Sequence, residues 1–237
     1  MDLDIVAVGA HPDDAEIGTA GMLAKFIQEG YKVGIIDLTD GEPTPFTIST
    51  EERLEECRKA SEIIGLTVRK TLDLPNRKLF DNFDNRIILA KQFRMLRPKL
   101  VLSPWGHTPN NASPDHYQAQ LITEAATFYS KLSKWENYFE NLPPHRINST
   151  LYYSTMREIP VPFSSFIIDI SETFSKKVEA LSAYKSQFKA NPKQPEGIIP
   201  WITAMGHYYG QMIEKKYGEI LYSAKAIELE NLSIFLK

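Results

Sequence analysis

Side chains that bind metals are concentrated near the start of the chain. One imidazole, His11, and three carboxylates, Asp13, Asp14 and Glu16, fall within six residues. A neutral imidazole and a carboxylate suit zinc, and a catalytic zinc keeps three protein ligands and one open position. His11 and Asp14 can converge on one metal from a tight turn, which leaves Asp13 between them and unligated. Helix capping explains a single Asp here, but it does not explain His11 together with three acids, so we favour a metal site.

A second polar run, at residues 113–116, contains a candidate third ligand. Ser113 is predicted to cap a helix whose first residue is Pro114, which places His116 in the first helical turn. His116 is therefore a candidate ligand. The alternative is a solvent-exposed helix start whose histidine has no function.

The elements that position these residues alternate between short apolar strands and amphipathic helices. The first half is predicted as strand 3–9, helix 16–29, strand 32–38, helix 49–64, strand 68–74, helix 82–96, strand 99–103 and helix 114–129. The second half is less regular, with predicted strands 151–155, 166–170 and 219–222, a helix capped by Ser171 and a helix over 198–215. This alternation predicts an α/β fold with a mainly parallel sheet flanked by helices and an elaborated C-terminal part. Both polar runs follow strands, and ligands bind at the carboxyl ends of strands in such sheets.

Length, charge and composition exclude several classes of protein. The chain has 237 residues, a net charge of −3 and one cysteine, Cys57. We expect one domain over residues 1–237, no disulfide framework and no nucleic-acid partner, which would need a basic surface. No apolar stretch approaches the roughly 18 residues of a membrane span. The N-terminus lacks the basic and apolar regions of a signal peptide, so a cytoplasmic protein is expected.

These motifs resemble a known family, the zinc-dependent N-acetylglucosaminyl deacetylases of the LmbE-like and PIG-L type. The family signature A-H-P-D-D-x-E is intact at residues 10–16 and is followed by Gly18 and Gly21. The resemblance extends over most of the chain. Supporting segments resemble the family's R-x-E-E, L-D-L-P-D-R, S-Q and K-Y-A-E elements, at residues 53–56, 72–77, 183–188 and 216–219.

The resemblance implies a Rossmann-like sheet and a zinc ion held by His11, Asp14 and His116. It implies that Asp13 is the general base that takes a proton from metal-activated water, and that Arg53 binds the substrate or the developing oxyanion. The implied substrate is a small amino sugar carrying an N-acetyl group, and the implied assembly is a homo-oligomer, a trimer or a hexamer. Fe²⁺ or Co²⁺ can replace Zn²⁺ in a His/Asp site.

One position departs from the family pattern. The family has H-P-D-H at the second motif, where the first histidine serves as an acid or oxyanion partner held by the following Asp, here Asp115. Ser113 stands in place of that histidine, and a serine hydroxyl can donate a hydrogen bond but is not an acid near pH 7. Two replacements are open: His107 in the same loop, or Asp13 returning the proton to the leaving amine. Ser113 and Asp115 remain candidate catalytic residues.

Two other functions compete with deacetylation. A catalytically weakened, metal-dependent carbohydrate-binding protein is supported by Ser113 and opposed by the intact Asp13. A nucleotide-sugar enzyme is disfavoured, because no glycine-rich phosphate loop follows the first strand. Trp105 is a candidate sugar-stacking residue. The sequence does not identify the aglycone: malate, inositol, a lipid-linked sugar and a chitobiose-like disaccharide are all compatible.

Overall fold

A seven-stranded sheet organises the protein. The computed structural model describes residues 1–106, 113–155, 164–188 and 196–228. The strands are β1 (Ile5–Gly9), β2 (Val33–Asp37), β3 (Val68–Thr71), β4 (Leu100–Pro104), β5 (Ser149–Tyr153), β6 (Ser164–Asp169) and β7 (Gly218–Ser223). The helices are α1 (Asp14–Gln28), α2 (Thr50–Ile64), α3 (Phe83–Leu96), α4 (Pro114–Ser130), α5 (Phe174–Ala183), α6 (Lys185–Phe188) and α7 (Ile199–Gln211), with a 3₁₀ turn at Glu136–Tyr138.

The strand order places the two polar runs side by side. The order is β3-β2-β1-β4-β5-β7-β6. The first five strands of that order run parallel, and β7 runs antiparallel between β5 and β6. The chain proceeds from β1 to one side and then returns to β4 on the other side, so a crevice opens beyond the carboxyl ends of β1 and β4. The predicted α/β fold with a mainly parallel sheet is confirmed.

Both faces of the sheet are covered, as a parallel sheet requires. Alternate residues of β1 enter opposite cores: Ile5 and Ala7 pack with α1, α2, α5 and α7, whereas Val6 and Val8 pack with α3 and α4. All five residues of β1 and of β2 are buried. The central strands are therefore a fixed base for the loops at their carboxyl ends. No helix in the described part of the chain is both long and apolar enough to cross a membrane.

Helix starts set by local capping are predicted more accurately than those set by tertiary contacts. Ser49 caps α2, because its hydroxyl accepts the N–H of Glu52 at 3.3 Å. The predicted cap at Ser171 is wrong. Its hydroxyl donates to Asp169 at 2.7 Å and accepts the N–H of Tyr217 at 3.2 Å, so it joins two neighbouring loops, and α5 begins three residues later.

Some strand and helix ends also differ from prediction. Strand β3 ends at Thr71, three residues earlier than predicted, and α7 ends at Gln211, four residues earlier. Strands β5 and β6 each begin two residues before the predicted start. These ends depend on pairing with neighbouring strands and on packing, which apolar periodicity does not encode.

The C-terminal part docks on the middle of α1 through a buried ion pair. The carboxylate of Glu219 accepts the backbone N–H groups of Gly21 at 3.1 Å and Met22 at 2.6 Å. Lys177 bonds to the same carboxylate and donates to the carbonyl of Ile17 at 2.7 Å. Two glycines allow this close approach: a Cβ at Gly18 would lie 2.1 Å from the ring of Tyr153, and one at Gly21 would lie 2.7 Å from Ile170.

We expect Glu219→Ala to destabilise the fold by about 3–5 kcal/mol, because it leaves the Lys177 ammonium buried without a counter-charge. Urea unfolding followed by circular dichroism measures the change. Glu140→Ala is the matched control, since it removes an exposed carboxylate that pairs with Lys91 at the surface, and its unfolding midpoint should match the wild type. Equal midpoints for both variants would contradict the docking role of Glu219.

Candidate metal centre and active-site cavity

The turn between β1 and α1 carries the first polar run in a constrained backbone. Asp13 is the N-cap residue of α1 and has a φ of 112°, a region that residues other than glycine rarely adopt. Such a conformation costs of order 1–3 kcal/mol and persists only where the surroundings enforce it. The result is that Asp13 and Asp14 point to different partners although they are neighbours in sequence.

Three of the predicted residues converge at this turn. One ligand atom from each of His11, Asp14 and His116 lies within 4.8 Å of the other two. The two carboxylate oxygens of Asp14 are shared, with Oδ1 3.2 Å from His116 Nε2 and Oδ2 3.4 Å from His11 Nδ1. His116 Nδ1 is buried and has no hydrogen-bond partner among the described residues. The donor set of two imidazoles and one carboxylate fits zinc.

The electrostatics of His11, Asp14 and His116, called the trio below, also suit a bound cation. Burial alone would lower the pKa of His11, but the carboxylates of Asp115 and Asp14 outweigh it and raise the pKa to about 10. Burial would likewise raise the pKa of Asp14, yet His116 and His11 hold it well below its usual range. These side chains thus favour a positive charge between them even without a metal. A metal ion bound at this position would supply that charge.

Asp115 supports His11 from behind. Its Oδ2 lies 3.3 Å from His11 Nε2 and accepts the backbone N–H of Arg77 at 2.6 Å. The side chain is buried, 2% exposed. A carboxylate on the far nitrogen of a ligand histidine fixes the tautomer and the ring orientation. The structure therefore places the predicted catalytic residue Asp115 beside His11, a candidate ligand.

Arg53 holds the predicted general base. Its Nη2 donates to Asp13 Oδ2 at 3.0 Å and to the carbonyl of Pro12. Burial raises the pKa of Asp13 to about 6, against the opposing effect of the Arg53 guanidinium. Arg53 is itself buried, and its Nε and Nη1 have no hydrogen-bond partner among the described residues. The ion pair with Arg53 therefore holds the carboxylate of Asp13 next to the trio without making it part of the trio.

Ser113 has a structural role in addition to its position at the site. Its hydroxyl accepts the N–H of Asp115 at 3.3 Å as the N-cap of α4, and the residue lines the cavity described below. His107, the predicted alternative proton donor, lies outside the described residues. Trp105 packs edge-on against Tyr152, with ring centroids 5.5 Å apart, and is not among the described residues that line the cavity.

The trio opens into a cavity of about 340 Å³. Its polar wall includes Thr44, Asn76, Arg77 and Gln187, and its apolar wall consists of Ile17, Phe188 and Ile198. Gln187 Nε2 donates to the hydroxyls of Thr44 at 2.9 Å and Thr47 at 2.8 Å, and so ties the β2–α2 loop to the C-terminal half. Asn76 Nδ2 donates to the carbonyl of Glu42 in the same loop at 2.9 Å.

The sequence assigns these wall residues no individual role. Asn76, Arg77, Gln187 and Phe188 lie in segments 72–77 and 183–188, which resemble family segments. Thr44 lies in the loop over residues 41–50, which is expected from the sequence only to influence substrate selection as a whole. Ile198 had no signal, because it reaches the cavity only when distant segments meet.

The third acid of the first motif does not reach the cavity. Glu16 lies on the buried face of α1, where it pairs with Arg69 and accepts the hydroxyl of Tyr184 at 2.6 Å. Arg69 also donates to Asp37 from Nε at 2.6 Å. Asp37 is the last residue of β2, and its carboxylate is fully buried. Glu16 and Asp37 support the turn without facing the site.

Comparison with known proteins gives a consistent set of relatives. Residues 6–127, just over half of the chain, match the family model PIG-L, GlcNAc-PI de-N-acetylase. A diacetylchitobiose deacetylase from Thermococcus kodakarensis is 28% identical over 227 residues, which cover 91% of this chain and 80% of that relative. The conserved protein TT1542 from Thermus thermophilus is 33% identical with a TM-score of 0.78, over 96% of this chain and 98% of that one. The N,N'-diacetylchitobiose deacetylase from Pyrococcus horikoshii shares the fold, with a TM-score of 0.80, 24% identity and coverage of 92% and 82%.

We expect Asp115→Asn to weaken zinc binding by about 10–100-fold, because the amide cannot supply the charge that orients His11. Competition with a chromophoric chelator measures the affinity in the absence of any substrate. Asp84→Asn, on the exposed side of α3, is the control and should bind zinc as the wild type does. An unchanged affinity in Asp115→Asn would show that His11 is not a ligand oriented in this way.

Proposed function

Because this chain belongs to the PIG-L family of de-N-acetylases, we propose that it removes the acetyl group from an N-acetylglucosamine-type sugar or glycoside by metal-dependent hydrolysis. The observation that carries the proposal is the convergence of His11, Asp14 and His116 beside the separate carboxylate of Asp13. The name of the Thermococcus relative, a deacetylase of an acetylated amino sugar, supports the substrate class.

His11, Asp14 and His116 are the proposed metal ligands. A zinc ion bound there would lower the pKa of water from about 15.7 towards about 7 and polarise the acetamide carbonyl. The same donors accept Fe²⁺ or Co²⁺. Asp115 is proposed as a positioning residue, since it contacts His11 and the backbone of Arg77.

Asp13 is the proposed general base. Its carboxylate is bonded to Arg53 and lies outside the ligand trio, so it is available to accept a proton from the attacking water. Arg53 keeps the carboxylate ionised and in place. Arg53 also lines the cavity and is proposed to bind the substrate or the oxyanion that forms at the carbonyl oxygen.

Asp13 is also proposed to return the proton. Collapse of the tetrahedral intermediate breaks the C–N bond, and the amine nitrogen needs a proton as it leaves. Among the described residues that line the cavity, Asp13 and Asp14 are the only carboxylates, and Asp14 belongs to the ligand trio. Ser113 accepts the N–H of Asp115 and is no acid near neutral pH. One carboxylate therefore takes a proton from water and gives it to nitrogen.

The amino-sugar substrate is part of this proposal, whereas other features stay predictions from the sequence. These are a single domain over residues 1–237, a cytoplasmic homo-oligomer of three or six copies, and no nucleic-acid partner. The weakened carbohydrate-binding protein has only Ser113 in its favour. We therefore retain the enzyme as the proposed function.

Replacing Asp13 with Ala should lower kcat by about 10²–10⁴-fold, the usual contribution of general acid–base catalysis. The zinc content should stay at the wild-type value, because Asp13 is not a ligand. The assay is amine release from a panel of N-acetylglucosaminides, with metal content measured on the same samples. Normal turnover by Asp13→Ala would overturn the assignment of the base.

Replacing Ser113 with His should keep or raise activity, because an imidazole can donate a proton to the leaving amine where the hydroxyl cannot. The loss of the serine cap should cost about 1 kcal/mol of stability. The same amine-release assay, together with thermal unfolding, tests both effects. Complete loss of activity in a folded, zinc-loaded variant would show that the pocket is built around serine.

A further inference from the structure

Ile17 lines both the active-site cavity and a second, smaller cavity, and no other described residue does so. The second cavity has a volume of about 40 Å³ and lies between α1, α5, α7 and β7. The two spaces therefore approach each other at Ile17, where a smaller side chain would bring them closer together.

Ile17 lies on α1 one helical turn beyond the proposed ligand Asp14. It follows Asp13 by four residues and Asp14 by three, so it lies on the same face of the helix one turn further along. The carbonyl carbon that is attacked must lie between the ligand trio and Asp13. Ile17 contributes to the apolar wall of the cavity with Phe188 and Ile198. Of the two substituents on that carbon, the acyl group and the amide nitrogen, the acyl group is the one that an apolar wall suits.

The second cavity is suited to hydrocarbon and not to a polar group. Its walls are mainly apolar and include Trp201, Met205 and Ile220. Its charged residues, Lys177 and Glu219, are paired with each other and with the backbone of α1. A longer acyl chain that entered this space would bury apolar surface and would displace no unsatisfied charge.

We propose that Ile17 sets the acyl specificity of the enzyme: it closes the acyl side of the site and limits the substrate to the acetyl group. This inference rests on the proposed N-deacetylase function. It adds a specificity-determining residue and predicts that longer N-acyl groups are poor substrates. In a hydrophobic pocket, a difference of one methylene changes kcat/KM by about 10–200-fold, so one branched side chain is enough for such selection.

The test compares N-acetyl, N-propionyl and N-butyryl forms of one glucosaminide by amine release. We expect the wild type to prefer acetyl over butyryl by more than about 100-fold in kcat/KM. In Ile17→Ala this ratio should fall by at least about 10-fold, through a gain on the butyryl substrate. Ile17→Val, the smaller change, should give an intermediate ratio and guards against poor folding of the alanine variant.

Ile220→Ala is the matched control. It is the same substitution in the wall of the second cavity, but Ile220 does not line the active-site cavity. It should enlarge the second cavity without opening it to the substrate, so the acyl preference should stay at the wild-type value. A second readout is inhibition by the product acids: butyrate should inhibit Ile17→Ala more strongly than acetate, and the order should reverse in the wild type.

The outcomes separate this inference from the function on which it rests. Failure of the zinc-loaded wild type to release amine from every acyl form would overturn the deacetylase itself. Deacetylation with an unchanged acyl ratio in both Ile17 variants would overturn only the role of Ile17. An equal change of the ratio in Ile220→Ala would show that general loosening of the core, and not the position of Ile17 between the two cavities, sets the acyl preference.

Discussion

Buried negative charge at the start of α1 governs much of the architecture. Five carboxylates are gathered there with little access to water: Asp13, Asp14, Glu16, Asp37 and Asp115. A buried charge without a partner costs several kcal/mol, so each must be compensated. Arg53 compensates Asp13, and Arg69 compensates both Glu16 and Asp37. Asp14 contacts the imidazoles of His11 and His116, and Asp115 contacts that of His11. This arrangement suits a cation near Asp14.

The arginines that compensate these acids also determine the arrangement of the elements. Arg53 comes from α2 and Arg69 from β3, and each reaches α1 or the turn before it. The β2–α2–β3 unit must therefore lie against α1 on one face of the sheet. This packing accounts for the positive φ of Asp13, because the bonds from Arg53 to Pro12 and Asp13 fix that turn.

The two halves of the chain contribute different parts of the site. The trio and Asp13 lie in the first half, in the segments and first helical turns that follow β1 and β4. Part of the cavity wall, including Gln187 and Phe188, comes from the second half. The buried pair of Lys177 and Glu219 joins that half to α1, and Gly18 and Gly21 allow the approach. The shape of the cavity therefore depends on docking that is remote from His11, Asp14 and His116.

The residues that meet at the candidate site and the order of the elements could be predicted from the amino-acid sequence. His11, Asp13, Asp14 and His116 could be named because ligand types recur next to predicted strand ends, and a parallel sheet brings such ends to one edge. Ser49 could be named as a cap because capping is local. Other features came only from tertiary contacts: which acids face the cavity, the burial of Glu16 and Asp37 beneath it, the link that Ser171 makes between two loops, and the position of Ile17 between two cavities. These features depend on contacts between residues far apart in the chain, for which no local spacing or periodicity exists.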